Sequence, residues 1–390
     1  MRIYYLLSTG AGFSLRDPLW LVKDHDYCAR LGPTSYIPRA DNKNASLDSV
    51  QVVFRHGART EHQRSTCFPD DKRANYACNV QTGFNLVPLL EGKLSISAPM
   101  IKLYGAGAED CSLGQLLDVG LDQARRLAQY LANAYPQLKY ENIDRITTYS
   151  TDTQRTMGTL STVLSELFEE LDKPLRVHTR EFDEDLFALN IPSCPFFANL
   201  RATFRQSDVY KATLESDAFK ACSTIWQARY QTPLNLKFAD DCLLSAYCAD
   251  APLPGDLQMD PHVFKCVMDI SFQLRREKLG SDPSSPYYAN GTNLCSVGSF
   301  LVFEEFKKSI HRNNIASLYA IHDETFVCLL NSLGLWDGRW PKYAEAMAFE
   351  FYSDGKIRIV RDGQVLALID KLETQTIKTH EQWLETCNQL

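Results

Sequence analysis

A buried strand that ends in charged side chains is the feature that most constrains this chain. Residues 50–54 are mostly β-branched or aromatic, which favours a strand, and the motif Arg55-His56-Gly57-Ala58-Arg59 follows at once. Two arginines around one imidazole suit an oxyanion, because each guanidinium offers forked donors to its oxygens. A strand end with solvated charges and a surface-packed histidine is the alternative interpretation, and a motif this short does not decide between them.

Apolar patterns along the chain alternate between strand spacing and helix spacing, which predicts an α/β fold. Near the C-terminus, Ser-Asp-Gly and Arg-Asp-Gly segments separate short apolar runs and indicate hairpins. Alternating strands and helices with a hairpin edge predict a three-layer α/β/α sandwich. The predicted strands are 50–55, 143–149, 175–179, 317–321, 348–352, 356–360 and 364–369, and the predicted helices are 114–135, 155–171 and 296–311.

The stretch 183–285 differs from the rest, because prolines, cysteines and helical patterns mix there without clear strands. We predict that this stretch is a smaller, mostly helical cap, inserted into an α/β domain formed by residues 48–182 and 286–390. Residues 1–47 lack a strong period and are predicted to be irregular, with a targeting region as one interpretation.

The charge balance argues against nucleic acid as a partner, and the hydropathy argues against a transmembrane helix. The chain has 390 residues, a formal net charge of -7 and no long run of lysine or arginine, so we do not expect it to bind nucleic acid. No stretch approaches the ~18–20 apolar residues that a transmembrane helix needs. We therefore expect a protein without a transmembrane segment. We also expect a monomer or a weak homo-oligomer.

The 12 cysteines leave the cellular compartment open. No Cys-x-x-Cys pair occurs, which argues against a structural zinc site. The even number and wide scatter of the cysteines fit disulfides in an oxidising compartment, whereas buried thiols are the alternative. Glycosylation triplets at Asn44 and Asn290 favour the same compartment, although such triplets often arise by chance.

Two further predicted strands also end in polar clusters. The segment 150–156 (STDTQRT) places Arg155 at the start of a predicted helix, where free N–H groups and the helix dipole favour an anion. His322 and Asp323 follow the strand 317–321. Helix capping explains each cluster equally well when it is taken alone. Ligands of open α/β sheets bind at the carboxyl edge of the strands, so three such clusters together predict one anion-binding pocket.

These three motifs, in their order and spacing, resemble the signatures of the histidine acid phosphatase family, which has a phosphoglycerate mutase-like fold. The likeness extends over about residues 50–385 and is closest to the lysophosphatidic acid phosphatase type 6 branch. The segments 50–59 and 319–326, continued to Trp340-Pro341, carry the closer match.

The resemblance implies a covalent phosphohistidine mechanism that uses neither a metal nor another cofactor. His56 would attack phosphorus, because a neutral imidazole is a competent nucleophile. Asp323 would protonate the leaving alkoxide and then deprotonate water. Three guanidiniums and an imidazolium would bind the phosphate oxygens, and these groups belong to Arg55, Arg59, Arg155 and His322.

The branch implies lysophosphatidic acid or a related lipid monophosphate as the substrate, and a mitochondrial location. A broad-specificity acid phosphatase and a catalytically weak phospholipid-binding protein of the same fold are the alternatives. The number of cysteines and the glycosylation triplets indicate the secretory pathway or lysosome as the alternative location. Aromatic residues of the cap suit an acyl chain, but a role as the core of the cap is the stronger interpretation. These residues are Phe182, Phe187, Phe196, Phe197, Phe204, Trp226 and Tyr230.

Two positions depart from the family pattern. Glu61 stands where the family often has proline, and Tyr149 where it often has arginine. We expect both to change the shape of the pocket rather than the phosphate contacts. A negative charge of Glu61 near the entrance would disfavour highly anionic substrates such as inositol polyphosphates.

Overall fold

The fold is built on a mixed β-sheet that helices cover on both faces. The computed structural model describes residues 27–29, 45–62, 68–69, 72–78, 80–83, 86–89, 93–96, 100–103, 111–140, 145–168, 175–181, 184–189, 191, 194–279, 294–311 and 314–388. The strands are β1 (Leu47–Arg55), β2 (Val80–Gly83), β3 (Leu86–Leu89), β4 (Lys93–Ile96), β5 (Met100–Leu103), β6 (Ile146–Ser150), β7 (Leu175–His178), β8 (Ala316–Ile321), β9 (Ala346–Tyr352), β10 (Ile357–Arg361) and β11 (Gln364–Ile369). The helices are α1 (Asp118–Ala134), α2 (Gln137–Tyr140), α3 (Gln154–Leu167), α4 (Pro195–Thr203), α5 (Asp208–Glu215), α6 (Asp217–Tyr230), α7 (Ala239–Cys248), α8 (Pro261–Lys278), α9 (Leu294–His311), α10 (Asp323–Ser332) and α11 (His380–Cys387).

Nine of the described strands form the sheet, in the order β11-β10-β9-β1-β8-β6-β7-β4-β3. The central strands β1, β8, β6 and β7 are parallel, and antiparallel strands flank them on both sides. The strands β2 and β5 pair separately. Because parallel strands end at the same edge, the segments that follow β1, β8 and β6 lie side by side.

Alternate side chains of β1 enter two different cores, as the two-residue period of a strand requires. Val52 and Phe54 belong to a core that includes Leu127 of α1 and residues of α3. Val53 belongs to a second core with Phe306 of α9 and residues of α10. The sheet is therefore buried on both faces, and the predicted α/β/α sandwich is confirmed.

The ends of several elements differ from the prediction. The predicted helix 114–135 begins at Asp118, because Gly114 lies in a turn with a φ of 66° and Leu116 forms an isolated β-bridge with Arg59. The described part of the predicted helix 155–171 ends at Leu167. The four-residue strands β2 to β5 were not predicted, since runs this short carry little periodicity and β3 contains a proline.

The described part of the predicted cap is helical, with helices α4 to α8 and two short 3₁₀ turns. Trp226 and Tyr230 are fully buried there, and a disulfide between Cys222 and Cys266 joins α6 to α8. Phe197 and Phe204 are buried in the same core, which favours the core interpretation of these aromatics. The domain boundaries stay a prediction, and residues 280–293 as well as Phe182 lie outside the described residues.

Phe187, at the predicted start of the cap, packs on the sheet instead. Its ring lies 4.9 Å from that of Tyr319 on β8. The 3₁₀ turn Leu186–Ala188 is also tied to α10, because the Thr325 hydroxyl donates to the carbonyl oxygen of Phe187. This contact places the first turn of the cap beside the carboxyl edge of the sheet.

Disulfides rather than buried thiols account for the described cysteines. Five bridges are described, namely Cys28–Cys248, Cys78–Cys111, Cys194–Cys387, Cys222–Cys266 and Cys295–Cys328. Such density is typical of proteins that fold in an oxidising compartment. The mitochondrial location stays a prediction, and the triplets at Asn44 and Asn290 lie outside the described residues. Within the described ranges, no helix is both long and apolar enough to cross a membrane.

Candidate active site

The three predicted strand ends meet at one edge of the sheet. Arg55 of β1 is opposite Ile321 of β8, and Ser150 of β6 is opposite Ala320. The N–H of His56 donates to the carbonyl of Ile321 at 3.2 Å, which holds the segments after β1 and β8 together. A cavity of about 370 Å³ opens there. All six residues predicted for the site line it, namely Arg55, His56, Arg59, Arg155, His322 and Asp323.

A close backbone contact fixes the turn that carries His56. A Cβ atom on Gly57 would lie 2.4 Å from the carbonyl oxygen of Gly120, and one on Gly120 would lie 2.3 Å from that of Ala58. Only glycine permits this approach. The N–H of Gly57 donates to the Thr159 hydroxyl at 3.0 Å, so α1 and α3 together hold the turn.

The imidazole of His56 is held as a neutral base. Its Nδ1 lies 2.8 Å from the carbonyl oxygen of Gly57, which can only accept, so Nδ1 carries the proton and Nε2 keeps its lone pair. Burial, together with the charges of Arg155 and Arg55, holds the pKa of His56 well below its usual value. The lone pair of Nε2 is therefore available at neutral and mildly acidic pH.

Each of two buried arginines of the pocket is paired with one carboxylate. Arg55 lies 2.9 Å from Asp323, and its guanidinium also stacks 4.1 Å from the ring of Tyr343. Arg59 lies 2.8 Å from Asp241 on the cap helix α7. These contacts use the terminal nitrogens, so the Nε atoms of both arginines are buried with no hydrogen-bond partner among the described residues.

Arg155 is the least compensated cation of the pocket. Burial and the repulsion of Arg59 lower its pKa to about 9, so it still carries its charge at neutral pH. Its guanidinium contacts Nδ1 of His322 at 3.3 Å, and its Nε is buried without a partner in the described part of the chain. All three arginines line the cavity, where their positive charges favour an anion.

The contacts of His322 fit a neutral imidazole, whereas the expected imidazolium concerns the complex with phosphate and stays a prediction. Nδ1 accepts from Arg155, so the proton is on Nε2, which donates to the Thr151 hydroxyl at 3.0 Å. Burial and the charge of Arg155 hold the pKa of His322 well below its usual value. It can still contribute an N–H dipole to the site, and a bound dianion would favour its protonation.

Asp323 is ionised in the ligand-free pocket. Burial alone would raise its pKa, but Arg55 and Arg275 outweigh burial and hold the pKa well below its usual value. Its Oδ1 atom accepts the N–H of Glu324 at 3.0 Å. A role as a proton donor therefore requires a bound anion that cancels part of the surrounding positive charge.

Several residues of the pocket were not predicted from the sequence. Asp241 pairs with Arg59, while its neighbour Asp240 accepts a hydrogen bond from Arg275 of α8 at 3.0 Å. Trp340 donates to Asp323 at 3.0 Å. Trp340 carried a signal only through the family resemblance, and two adjacent aspartates at a helix start are equally typical of a helix terminus.

The two departures from the family pattern lie away from the cavity. Glu61 is buried and paired with Arg73, so the expectation that it projects a negative charge at the entrance is wrong. The hydroxyl of Tyr149 donates to Asp185, below the floor of the pocket. Within the described ranges, no group of three or more histidine, cysteine or acidic side chains is arranged to hold a metal ion.

The low pKa values of both histidines predict an acid-sensitive ligand-free fold. The unfolded chain binds a proton at each histidine below about pH 6.5 and the folded chain does not, so this part of the stability is complete above that pH and is lost as the pH falls below it. We expect the free energy of unfolding in phosphate-free buffer to fall by on the order of 1 kcal/mol per pH unit for each histidine.

The variant His322→Gln should reduce the slope of the unfolding free energy against pH by the contribution of one histidine. Denaturant unfolding between about pH 7 and pH 5 measures this slope. His262→Gln, which changes an exposed histidine of the cap, is the matched control. An identical slope in wild type and His322→Gln would contradict the assignment of a neutral His322.

Comparison with known proteins places this geometry in a family. A model of the histidine phosphatase superfamily (branch 2) matches residues 46–306. Testicular acid phosphatase of Homo sapiens is 27% identical over 265 residues, covering 61% of this chain and 59% of that protein. Lysophosphatidic acid phosphatase type 6 of Homo sapiens is 26% identical over 339 residues, covering 80% and 75%. The chain spans only 62% and 59% of the length of the mouse and human testicular acid phosphatases.

A solved structure shows the same fold at much lower sequence identity. The phytase from Citrobacter braakii superposes with a TM-score of 0.52 at 12% identity, covering 88% of this chain and 97% of that one. The family model covers more than half of the chain, and its match includes the first two of the three strand ends that build the pocket. The chain belongs to the histidine phosphatase superfamily, branch 2.

Proposed function

We propose that this protein hydrolyses phosphomonoesters through a covalent phosphohistidine at His56. The observation that carries the proposal is a neutral, buried imidazole among three arginines whose Nε donors lack partners in the described part of the chain. Phosphoryl transfer depends mainly on positioning and on neutralising the charge of the phosphoryl oxygens. The guanidinium groups of Arg55, Arg59 and Arg155 supply that charge, and His322 supplies a further donor.

In the first step, Nε2 of His56 attacks phosphorus as the bond to the ester oxygen breaks. Asp323 gives a proton to the leaving oxygen. Because Asp323 is ionised in the free protein, the substrate brings this proton, since a phosphate monoester with a second pKa of about 6 is partly monoanionic in mild acid. The bound anion offsets the arginines, which raises the proton affinity of Asp323.

In the second step, the Asp323 carboxylate takes a proton from a water molecule, and the resulting hydroxide attacks phosphorus. The bond between phosphorus and Nε2 breaks and His56 returns to its neutral form. Asp323 passes its proton to the inorganic phosphate, which leaves as the monoanion. Asp323 thus acts as acid and then as base, and each turnover restores both residues.

Lysophosphatidic acid or a related lipid monophosphate is the substrate class that we propose. The relative of that name supports this choice, as does the apolar wall formed where Phe238, Leu244 and Phe272 line the cavity. A second cavity of about 410 Å³ shares Arg205 and other residues with the first. Its lining includes Phe204, Tyr210, Leu236 and Leu274, which suit an acyl chain. A broad-specificity acid phosphatase is the alternative, in keeping with the testicular acid phosphatases.

The covalent step predicts that a reaction quenched with denaturant at alkaline pH leaves radioactive phosphate on the protein. The label should be stable in alkali and labile in acid, as expected for a phosphoramidate. The variant His56→Ala should retain no label and lose turnover, whereas His262→Ala should match wild type. A labelled His56→Ala protein would contradict the assignment of the nucleophile, and an unlabelled, inactive wild type would favour a binding protein of the same fold.

The variant Asp323→Asn should slow turnover by about 10²- to 10⁴-fold, the usual contribution of a general acid or base. The amide oxygen can still accept from Arg55 and Trp340, so we expect little change in the dissociation constant of inorganic phosphate. Steady-state kinetics and calorimetric titration measure the two quantities. Full turnover in Asp323→Asn would rule out the role of Asp323.

The lipid proposal predicts a large difference between two substrates with the same reacting group. Burial of each acyl methylene contributes about 0.8 kcal/mol, so kcat/KM for lysophosphatidic acid should exceed that for glycerol 3-phosphate by on the order of tenfold or more. The variant Leu236→Ser should reduce this ratio, whereas Val365→Ser, an exposed position on β11, should not. Equal kcat/KM values for the two substrates would favour the broad-specificity alternative.

A further inference from the structure

The indole of Trp340 contacts the carboxylate of Asp323, and the two chemical steps do not use it. Its Nε1–H donates to Oδ2 of Asp323 at 3.0 Å, and Nη2 of Arg55 lies 2.9 Å from the same oxygen. A carboxylate oxygen has two lone pairs. Oδ2 is therefore fully occupied, whereas among the described residues Oδ1 accepts the N–H of Glu324 alone and keeps one lone pair.

The cap holds Trp340 in place from the other side. The ring stacks on Phe272 of α8, with 6.0 Å between centroids and 19° between planes. The guanidinium of Arg275, one helical turn further on, lies 5.1 Å from the Trp340 ring and is itself fixed by Asp240. Trp340 is buried, so the indole cannot leave Asp323 without breaking contacts with the cap.

Charged groups from several elements also act on Asp323. Burial, Arg55, Arg275, His56 and the hydrogen bond from Trp340 all affect its pKa, in that order. Its neighbour Glu324 is paired with Lys278. Five further side chains interact electrostatically with Asp323, namely Tyr27, Arg59, His62, Arg155 and His322. Trp340 supplies a directed side-chain donor without a charge to Oδ2, as the backbone N–H of Glu324 does to Oδ1.

We propose that Trp340 is a positioning residue for Asp323, which rests on the hydrolysis proposed above. By filling Oδ2 together with Arg55, the indole leaves Oδ1 as the atom that carries the proton. As the bond between phosphorus and the ester oxygen breaks, the Oδ1–H bond breaks and the proton passes to the leaving oxygen. The carboxylate plane is fixed by the cap through Trp340, so the cap sets the direction of proton transfer.

The variant Trp340→Phe tests this role, because it keeps a ring for Phe272 and Arg275 but removes the donor. A leaving alkoxide needs the proton, whereas nitrophenolate leaves as a stable anion. We expect kcat/KM for glycerol 3-phosphate to fall about tenfold or more, a fraction of the 10²- to 10⁴-fold effect of a general acid. The value for p-nitrophenyl phosphate should change less than threefold.

A pH profile provides the second measurement. Loss of a donor to Oδ2 destabilises the carboxylate. The alkaline limb of kcat for glycerol 3-phosphate, which reports Asp323 in the complex with the bound ester, should therefore move to higher pH in Trp340→Phe. Trp336→Phe is the matched control, since the indole of Trp336 donates to the carbonyl of Arg339 at 3.0 Å rather than to Asp323. It should behave as wild type with both esters.

Equal losses for both esters in Trp340→Phe, with an unmoved pH profile, would show a merely structural role and overturn the proposal. The variant Phe272→Leu, which removes the stacking partner, should shift the ratio of the two esters in the same direction as Trp340→Phe. An unchanged ratio would overturn the part assigned to the cap. Wild-type protein that hydrolyses neither ester would instead contradict the proposed hydrolysis itself.

Discussion

Charge compensation among buried guanidinium groups governs the arrangement of this pocket. Arg55 is the last residue of β1, and Arg59 lies in the motif that follows. Each pairs with a carboxylate from a different part of the fold, Asp323 of α10 and Asp241 of α7. Arg155 lacks such a carboxylate within the described ranges, and its lowered pKa reflects the deficit. Although the chain has a net charge of -7, its buried pocket contains one more guanidinium than paired carboxylates, and a bound oxyanion would balance this excess positive charge.

The central strands of the sheet followed from the sequence because local patterns specify them, as did the meeting of the six predicted residues at one cavity. Apolar runs identify β1, β6 and β8, and parallel pairing brings their ends together whatever lies between them. The counter-charges could not be found in this way. Asp241, the counter-charge of Arg59, accepts the N–H of His62, which lies 179 positions away in the chain. Such a contact depends on how the cap is placed over the sheet.

Protonation was the other property that residue types alone did not reveal. A histidine beside an arginine at a strand end is compatible with an imidazole or an imidazolium, and burial decides between them. The same applies to Glu61, whose charge is cancelled by Arg73, a residue from an irregular segment with no recognisable pattern. Motifs predict which groups meet a ligand, whereas depth in the fold sets their charge.

Asp240 and Asp241 are adjacent in α7 but bind arginines of different parts of the fold. Asp240 binds Arg275 within the cap, while Asp241 binds Arg59 at the end of β1. A phosphoryl group that draws Arg59 toward itself competes with Asp241 for the same guanidinium. The anion site and the ion pair between the cap and the sheet therefore depend on the same guanidinium.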